Sequence, residues 1–388
     1  MGGEAQESPL LRSVSSSDES SGQALKRTGT IWTATAHVIA GVIGAGVLSL
    51  AWSMAQLGWI AGPLAMIVFA SVTLVSAHLI CDCYRFPDPE SGPNRNRSFM
   101  EAVGFYLGKR SQQVCGIFAQ ESFYGCGIAY TITAATSVRA IQRSNCYHRE
   151  GHDAVCKYGD TSFMLVFGII QMVASQIPNF HDMEWLSILA AIMSFAYSFI
   201  GFGLGFAKVI ENGRVEGSIS GVPTVDVGDK LWLVFEALGD IAFAYPYSTI
   251  LLEIQIFSQP VFALVEGWLA NRYPRSWFVN KPYTLKLPLF PPLHVNPLRL
   301  CFRTAYVAST TTIAMAFPYF NQVLGVLGAL NFWPLAIYFP VEMYFVQKNI
   351  GAWTRKWIVL KMFSLLCFLF TIMGLIGSIQ GLIKARFS

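Results

Sequence analysis

The sequence predicts an all-α polytopic membrane protein, and three properties of its 388 residues carry that prediction. Only 13% of the residues are charged, about half the share that is usual in soluble globular proteins, and 53% are apolar. So few charges cannot cover the surface of a water-soluble fold of this length. The apolar residues form continuous runs, whereas strands of a membrane β-barrel alternate apolar and polar residues. The net charge of +4 is too small and scattered to indicate nucleic-acid binding.

The chain begins with a polar segment, residues 1–30, that is predicted to be a disordered cytosolic tail. This segment contains seven Ser and shows almost no apolar periodicity. It also lacks the short apolar core that a secretory signal needs. The remaining residues, 31–388, are predicted to form one transmembrane transporter domain.

Apolar runs in this domain predict nine membrane-spanning helices. The first run, from Ile31 to Cys81, contains no Asp, Glu, Lys or Arg and is long enough for two helices with a turn at 56–58. The other runs cover residues 113–138, 161–178, 185–207, 231–254, 299–317, 321–346 and 358–380. Residues 256–270 are too short to cross the bilayer, so we expect an interfacial helix there, followed by a cytosolic loop up to residue 298.

The distribution of basic residues predicts that the N-terminus is cytosolic. In this orientation 18 of the 27 Lys and Arg lie on the cytosolic side, as the positive-inside rule requires. The loop 140–160 then lies outside, where the environment is oxidising. Its Cys146 and Cys156 either form a disulfide or remain free thiols, and we expect the disulfide.

Two of the predicted spans are irregular in a way that is typical of a transporter binding site. The first span reads GVIGAGVLS from Gly41 to Ser49, and the sixth reads LGDIAFAYPY from Leu238 to Tyr247. Paired Gly- or Pro-interrupted spans in two halves of a chain indicate such a site. The N–H groups at a broken helix suit a carboxylate and the opposing carbonyls suit an ammonium group, so an amino acid fits both. For the first span, close helix packing through small residues is the alternative.

Three titratable side chains are candidates for proton coupling. Glu236 and Asp240 are four residues apart in the sixth span and therefore share one helix face. Because two neighbouring buried carboxylates disfavour each other's charge, one of them can exchange a proton. We expect Asp240 to lie at the break and Glu236 to lie nearer the outer interface. His37, one to two turns before the first break, is the third candidate, with a hydrogen-bonded structural His as the alternative.

No constellation typical of an enzyme is found in the sequence. It contains no zinc-ligand spacing, no exposed nucleophile elbow and no phosphate-binding loop. The GFGLG stretch from Gly201 to Gly205 lies in an apolar helix without a preceding strand, which indicates helix packing and not nucleotide binding. Two Pro within residues 331–342 predict a kink in the eighth predicted span. We therefore expect no catalytic site, no metal and no cofactor, with a proton gradient as the energy source.

Five stretches of the sequence are distinctive enough to indicate a family. They are HVIAGVIGAGVLSLAWSMAQLGW (37–59), YTITA (130–134), RSNC (143–146), ALGDIAFAYPYSTILLEIQ (237–255) and NFWPLAIYFPVEMY (331–344). Together they resemble the plant amino acid permease family over nearly all of residues 28–388. The resemblance implies import of amino acids with protons across the plasma membrane. It also implies a leucine-transporter-like helical bundle with two inverted five-helix repeats.

The resemblance further implies which residues contact the substrate. They are Gly44, Ala45, Gly46 and Val47 in the first break and Asp240, Ala242 and Phe243 in the sixth-span break. The implied partners are an amino acid substrate, protons and the lipid bilayer, with no nucleic acid.

The sequence departs from the family immediately after Gln255. Family members continue there through a seventh span and most of an eighth, whereas Ile256 here resembles the tail of that eighth span. The family has eleven spans against nine predicted here, and losing an even number keeps each later segment on its original side. Because the eighth span normally lines the site, the alternative function is a non-transporting short form that associates with full-length permeases and modulates them.

Overall fold

The fold is known from a computed structural model, which describes residues 35, 39, 45–96, 98–151, 153–176, 184–224, 226–245, 259–280, 283–285 and 293–387. This part of the chain is predominantly helical, which confirms the all-α prediction at that level. Two short antiparallel hairpins were not predicted. In the first, β1 (Arg85–Phe86) pairs with β2 (Asn94–Arg95), and in the second, β3 (Tyr283–Leu285) pairs with β4 (Leu293–Val295).

The helices follow one another along the chain with short connections. They are α1 Ala45–Asp82, α2 Phe99–Leu107, α3 Lys109–Glu150, α4 Thr161–Ser175, α5 Glu184–Asn212, α6 Val227–Ala244, α7 Gln259–Arg272, α8 Trp277–Asn280, α9 Pro297–Ala316, α10 Phe320–Trp333, a π-helical turn Pro334–Tyr338, α11 Phe339–Gln347 and α12 Arg355–Phe387. The segment predicted to be interfacial, 256–270, therefore overlaps α7.

Four helices within the described ranges are long and apolar enough to cross a membrane. They cover Gly46–Asp82, Ile188–Asn212, Phe320–Gln347 and Arg355–Phe387, and a shorter apolar helix covers Thr161–Ser175. Helices α3, α6 and α9 coincide with three further predicted spans but carry more polar side chains. The count of nine spans therefore remains a prediction.

Helix α1 is interrupted at Gly58. Its φ of 80° lies in the left-handed region, which favours Gly because other residues would place a Cβ against the backbone. The backbone of Ile219 and Gly221 also lies so close that a side chain at position 58 would collide with it. The interruption falls within residues 56–58, where the sequence predicts the turn between the first two spans. It divides α1 into an upstream segment, residues 45–57, and a downstream segment, residues 59–82.

The chain forms two compact units, and each has its own helix packing. The first unit comprises the described parts of 126–182 and 255–316, and the second comprises those of 31–125, 183–254 and 317–388. In the first unit α4 packs against α9. Gly168 permits this approach, because a Cβ at that position would lie 2.7 Å from Oγ1 of Thr311.

In the second unit α6 lies among α1, α10 and α12. Glycine allows α6 to approach its neighbours closely, since a Cβ on Gly239 would lie 2.8 Å from the carbonyl oxygen of Gly325. Gly374 of α12 faces Gly239 from another side. Ile241 of α6 and Phe332 of α10 belong to the same buried apolar cluster. Close backbone packing of small residues is the usual way for helices to associate in a membrane.

The two-proline segment 331–342 contains a π-helical turn between α10 and α11. Phe339 donates its backbone N–H to the carbonyl of Pro334, which is the wider spacing of a π-helix. Pro334 has no N–H of its own to donate, so the regular α-helical pattern cannot continue through it. The indole N–H of Trp333 donates to the hydroxyl of Ser364 at 3.1 Å, which ties this turn to α12.

Candidate functional site

The two irregular stretches of the sequence come into contact inside the second unit. Gly46, in the first turn of the upstream segment of α1, packs directly on Ala244, the last residue of α6. A Cβ added to Gly46 would lie 2.8 Å from the Cα of Ala244 and 3.0 Å from its Cβ. Only Gly fits here without moving one of the two backbones. The start of α1 and the end of α6 therefore form one local surface.

Hydroxyl groups follow one face of the upstream segment of α1 from Gly46 towards α6. Ser49 donates its hydroxyl to the carbonyl of Gly46 at 2.8 Å. The hydroxyl of Ser53 lies 3.1 Å from the carbonyl of Ser49 and 3.3 Å from Oδ2 of Asp240. Ser53 and Asp240 both have an exposed fraction of 0%. The carboxyl of Asp240 is thus bound to α1 through a fully buried serine.

Glu236 lies one helical turn before Asp240 on the same face of α6, as its spacing predicts. The Gln322 side chain of α10 hydrogen-bonds to its carboxyl group. Glu236 is only 2% exposed, so the expectation that it lies nearer the outer interface is wrong in the sense that it belongs to the core. The reason is that Gly377 and Gly381 of α12 offer no side chains, which lets the backbone and carboxyl of Glu236 approach α12.

The two carboxyl groups have unused hydrogen-bonding capacity. Oδ1 of Asp240 and Oε1 of Glu236 are buried without a hydrogen-bond partner among the residues that the structure describes. The ion pairs found in that part of the chain involve neither residue. Burying a carboxylate without a counter-ion is costly. The pair is therefore suited to bind a proton or a cationic group.

Asp240 does not lie at a helix break, contrary to expectation. Helix α6 is continuous from Val227 to Ala244, and Tyr245 follows with φ −103° and ψ −7°. Asp240 thus lies one turn before the helix end, and Ala242 and Phe243 lie in the last turn. The prediction failed because Gly239 does not interrupt the helix but permits its close packing on Gly325 and Gly374.

Several predicted site residues lie outside the described part of the chain. They are His37, Gly44 and the rest of 41–44 in the first span, and Pro246 with Tyr247 in the sixth. Ala45 is described as the first residue of α1, and Val47 is half-buried.

Two further polar residues of the second unit were not singled out as a pair. Asn331 of α10 donates its amide N–H to Oε2 of Glu121 in α3 at 2.7 Å and to the carbonyl of Leu327 at 3.0 Å. Glu121 and Asn331 are 210 residues apart, so no local pattern links them. Ser53 was also missed. Its signal was the i, i+4 spacing from Ser49 on the face that carries Gly46.

The first unit contains the two loop cysteines. Cys146, near the end of α3, is joined to Cys156 by a disulfide with the Cα atoms 6.0 Å apart. Arg139 and Asp160 form an ion pair at 2.6 Å beside it, so the connection between α3 and α4 is held at two points. Glu150 lies close to both sulfur atoms. In the disulfide these sulfurs offer no thiolate to a metal.

Comparison with known proteins indicates a transporter family. The chain matches the family model described as "Transmembrane amino acid transporter protein" over residues 27–256 and 254–384. It is 49% identical to "Probable amino acid permease 7" of Arabidopsis thaliana, with 93% of this chain and 94% of the relative covered. Identity to "Amino acid permease 2" of the same plant is 40%, with 92% and 88% covered. "Lysine histidine transporter-like 6" is 26% identical, with 84% and 85% covered.

The comparisons also bear on the departure after Gln255. The two stretches that match the family model meet at residues 254–256. The alignment with "Probable amino acid permease 7" runs over 441 residues, although this chain has only 388. The relative therefore contains residues that have no counterpart here, as the sequence comparison with the family predicts.

Proposed function

This chain belongs to the transmembrane amino acid transporter family, among the plant amino acid permeases, and we propose that it imports amino acids together with protons across the plasma membrane. It is a membrane transporter and not an enzyme. The observation that carries the proton-coupled mechanism is the buried pair of Glu236 and Asp240, which has no counter-ion in the described structure.

The carboxyl pair accounts for proton coupling in the proposed mechanism. With both groups charged, Glu236 and Asp240 would repel each other in a low-dielectric environment. A proton entering from the acidic outer side removes that repulsion, and its release on the cytosolic side restores it. Asp240 is the primary proton carrier, because it touches α1 through Ser53 and lies one turn from the end of α6. Glu236 raises the energetic cost of leaving Asp240 charged. His37 remains an additional candidate outside the described residues.

The substrate is proposed to bind where α1 and α6 meet. The N–H groups of Gly44, Ala45, Gly46 and Val47 are the proposed partners of its carboxylate. The carbonyl groups of the last turn of α6, which includes Ala242 and Phe243, lack intrahelical partners and suit its ammonium group. The contact of Gly46 with Ala244 supports this arrangement, because it brings the two sets of backbone groups close together.

The proposal includes the topology and architecture that accompany this mechanism. The N-terminus is cytosolic, the loop with the Cys146–Cys156 disulfide faces outside, and the helices form a leucine-transporter-like bundle. Interrupted helices near the middle of the bilayer are the usual binding elements of such transporters.

Uptake of labelled amino acids in transport-deficient cells tests the proposal. We expect uptake by the wild-type chain to be higher at acidic than at neutral outside pH. Asp240→Asn removes the titrating group at nearly constant size and should abolish the acid stimulation. The matched control is Asp229→Asn in the first turn of α6, where the carboxylate is half exposed and pairs with Lys384 at 2.9 Å. Normal acid-stimulated uptake by Asp240→Asn, with both variants at the cell surface, would contradict the assigned role.

The alternative function is a short form that does not transport but associates with full-length permeases. The stretch that relatives possess and this chain lacks favours it. It predicts no uptake by the chain alone and a changed uptake rate when it is co-expressed with a full-length relative. An unchanged rate on co-expression argues against it.

A further inference from the structure

The hydroxyl of Ser53 has two acceptors but only one hydrogen. It can donate to the carbonyl of Ser49, 3.1 Å away on its own helix, or to Oδ2 of Asp240, 3.3 Å away on α6. A serine hydroxyl has one O–H and two lone pairs, so it cannot satisfy both acceptors at once. Which bond forms must depend on whether Asp240 carries a proton.

We propose that Ser53 is a positioning residue whose hydroxyl changes partner with the protonation state of Asp240. When Asp240 is charged, Ser53 donates to its Oδ2. When Oδ2 carries the proton, the carboxyl O–H donates to Oγ of Ser53, and the serine hydrogen turns to the carbonyl of Ser49. The proton is placed on Oδ2 because Oδ1 has no partner within the described structure. This inference rests on the proposed proton-coupled function and names how the proton acts on α1.

The change of partner links the proton to the proposed substrate contacts. A serine that bonds back to the carbonyl four residues earlier bends its helix. Protonation of Asp240 therefore adds such a bond at Ser49, and deprotonation removes it. Ser49 in turn donates to the carbonyl of Gly46, which packs on Ala244 at the end of α6. The upstream segment of α1 thus adopts two slightly different shapes that depend on one proton.

The surroundings of Asp240 leave Ser53 as the group that responds to its charge. The titratable group facing it in the described structure is Glu236, on its own helix. From the neighbouring helices, α10 presents Gly325 and α12 presents Ser378 next to that glycine. The hydroxyl of Ser378 donates to the carbonyl of Gly374 at 2.8 Å. Among the described residues no Lys or Arg pairs with Asp240.

The proposal predicts the direction of the effect of Ser53→Ala. Removing the donor to the charged carboxylate makes the charged form less favourable, so Asp240 keeps its proton to higher pH. The outside pH of half-maximal uptake should rise by about one unit, since a hydrogen bond to a charged group has a strength of that order. Ser53→Cys keeps the size and a weak donor, and should give a smaller rise.

A matched control is available on the same helix. Thr73, in the downstream segment of α1, is fully buried, and its hydroxyl donates to the carbonyl of Phe69 at 2.9 Å. Thr73→Val removes a back-bonding hydroxyl without touching the carboxyl pair. We expect its pH of half-maximal uptake to equal that of the wild type.

A second measurement does not depend on transport. Infrared difference spectra of the full chain in lipid nanodiscs, recorded against pH, show the carbonyl band of a protonated carboxyl group. Its loss in Asp240→Asn assigns the band. In Ser53→Ala the band should change frequency, because the hydrogen-bond partner is gone, and should persist to higher pH. In Thr73→Val the band should be unchanged.

The outcomes separate this inference from the proposed function. Acid-stimulated uptake in the wild type with no shift of pH dependence or band in Ser53→Ala and Ser53→Cys overturns the Ser53 switch and leaves the proposed function standing. Absence of uptake in the wild type, together with a shifted band in Ser53→Ala, supports the switch and counts against transport by this chain. A shift of both quantities supports both.

Discussion

At the scale of single residues, the site depends on groups that are small or buried. Gly46 allows α1 to touch Ala244, and Ser53 reaches Asp240 because nothing larger separates the two helices. Glu236 and Asp240 are retained in the core although neither has a cationic partner in the described structure. Groups of this kind reduce stability, and a transporter keeps them because a proton must bind and leave.

Gly46→Ala tests the closest contact of the site. The added Cβ would lie 2.8 Å from a backbone atom of Ala244, so α1 and α6 must move apart. We expect strongly reduced uptake and a loss of stability of about 1 to 3 kcal/mol, the usual cost of overpacking. The measurements are uptake in cells and thermal unfolding of the purified protein.

The control for this variant is Gly201→Ala in α5. A Cβ at Gly201 meets nothing within 4 Å, so uptake should be unchanged. Equal uptake by Gly46→Ala and the wild type would show that the contact with Ala244 has no functional importance.

At the scale of secondary-structure elements, each unit holds its helices by a different device. In the second unit, α6 is surrounded by glycine-bearing faces of α10 and α12. In the first unit, an ion-pair network connects α7 with α9: Glu266 accepts from Arg303 at 2.9 Å and lies 2.8 Å from Nε of Arg299. Arg303 also donates to the carbonyl of Ser175 at the end of α4 and lies over the ring of Phe262. Helix α7 is therefore fixed although the chain preceding it differs from that of its relatives.

Glu266→Gln tests this network. It would leave Arg303 buried without its carboxylate, and breaking a buried ion pair from one side costs about 3 to 5 kcal/mol. We expect a clearly lower unfolding temperature. Glu211→Gln serves as a control because Glu211 pairs with Lys208 on an exposed surface, where such a pair contributes less than about 1 kcal/mol. Equal unfolding temperatures of the two variants would show that the network does not stabilise the first unit.

At the scale of the whole molecule, the missing stretch at 254–256 is the main difference from the relatives. The proposed site lies on α1 and α6, which this chain retains in the described ranges 45–82 and 227–244. The relatives have additional residues after this point, and part of them is expected to line the site. The account therefore predicts that the chain transports, but less efficiently than a chain in which that stretch is restored.

A chimaera tests this expectation. The residues of "Probable amino acid permease 7" that have no counterpart here are inserted between Gln255 and Ile256. We expect uptake per molecule at the cell surface to be higher in the chimaera than in the wild type, and acid stimulation in both. A chimaera that transports beside an inert wild type would favour the non-transporting short form.

Much of this arrangement could be predicted from the sequence, because it depends on local composition and spacing. The apolar runs predicted the helices, and the i, i+4 spacing predicted the shared face of Glu236 and Asp240. Contacts between distant residues could not be predicted. Ser53 and Asp240 are 187 residues apart, and only the packing of α1 on α6 brings them together. The expected break at Asp240 was wrong because a Gly in a helix can serve either interruption or close packing, and only the neighbouring helices decide between them.

The most direct test of the central claim, that Asp240 carries the proton that accompanies the amino acid, is proton entry into proteoliposomes containing the purified chain. Addition of an amino acid that is taken up should acidify the interior with the wild type and with Asp229→Asn, and should leave it unchanged with Asp240→Asn. Acidification of equal size with Asp240→Asn would contradict the account.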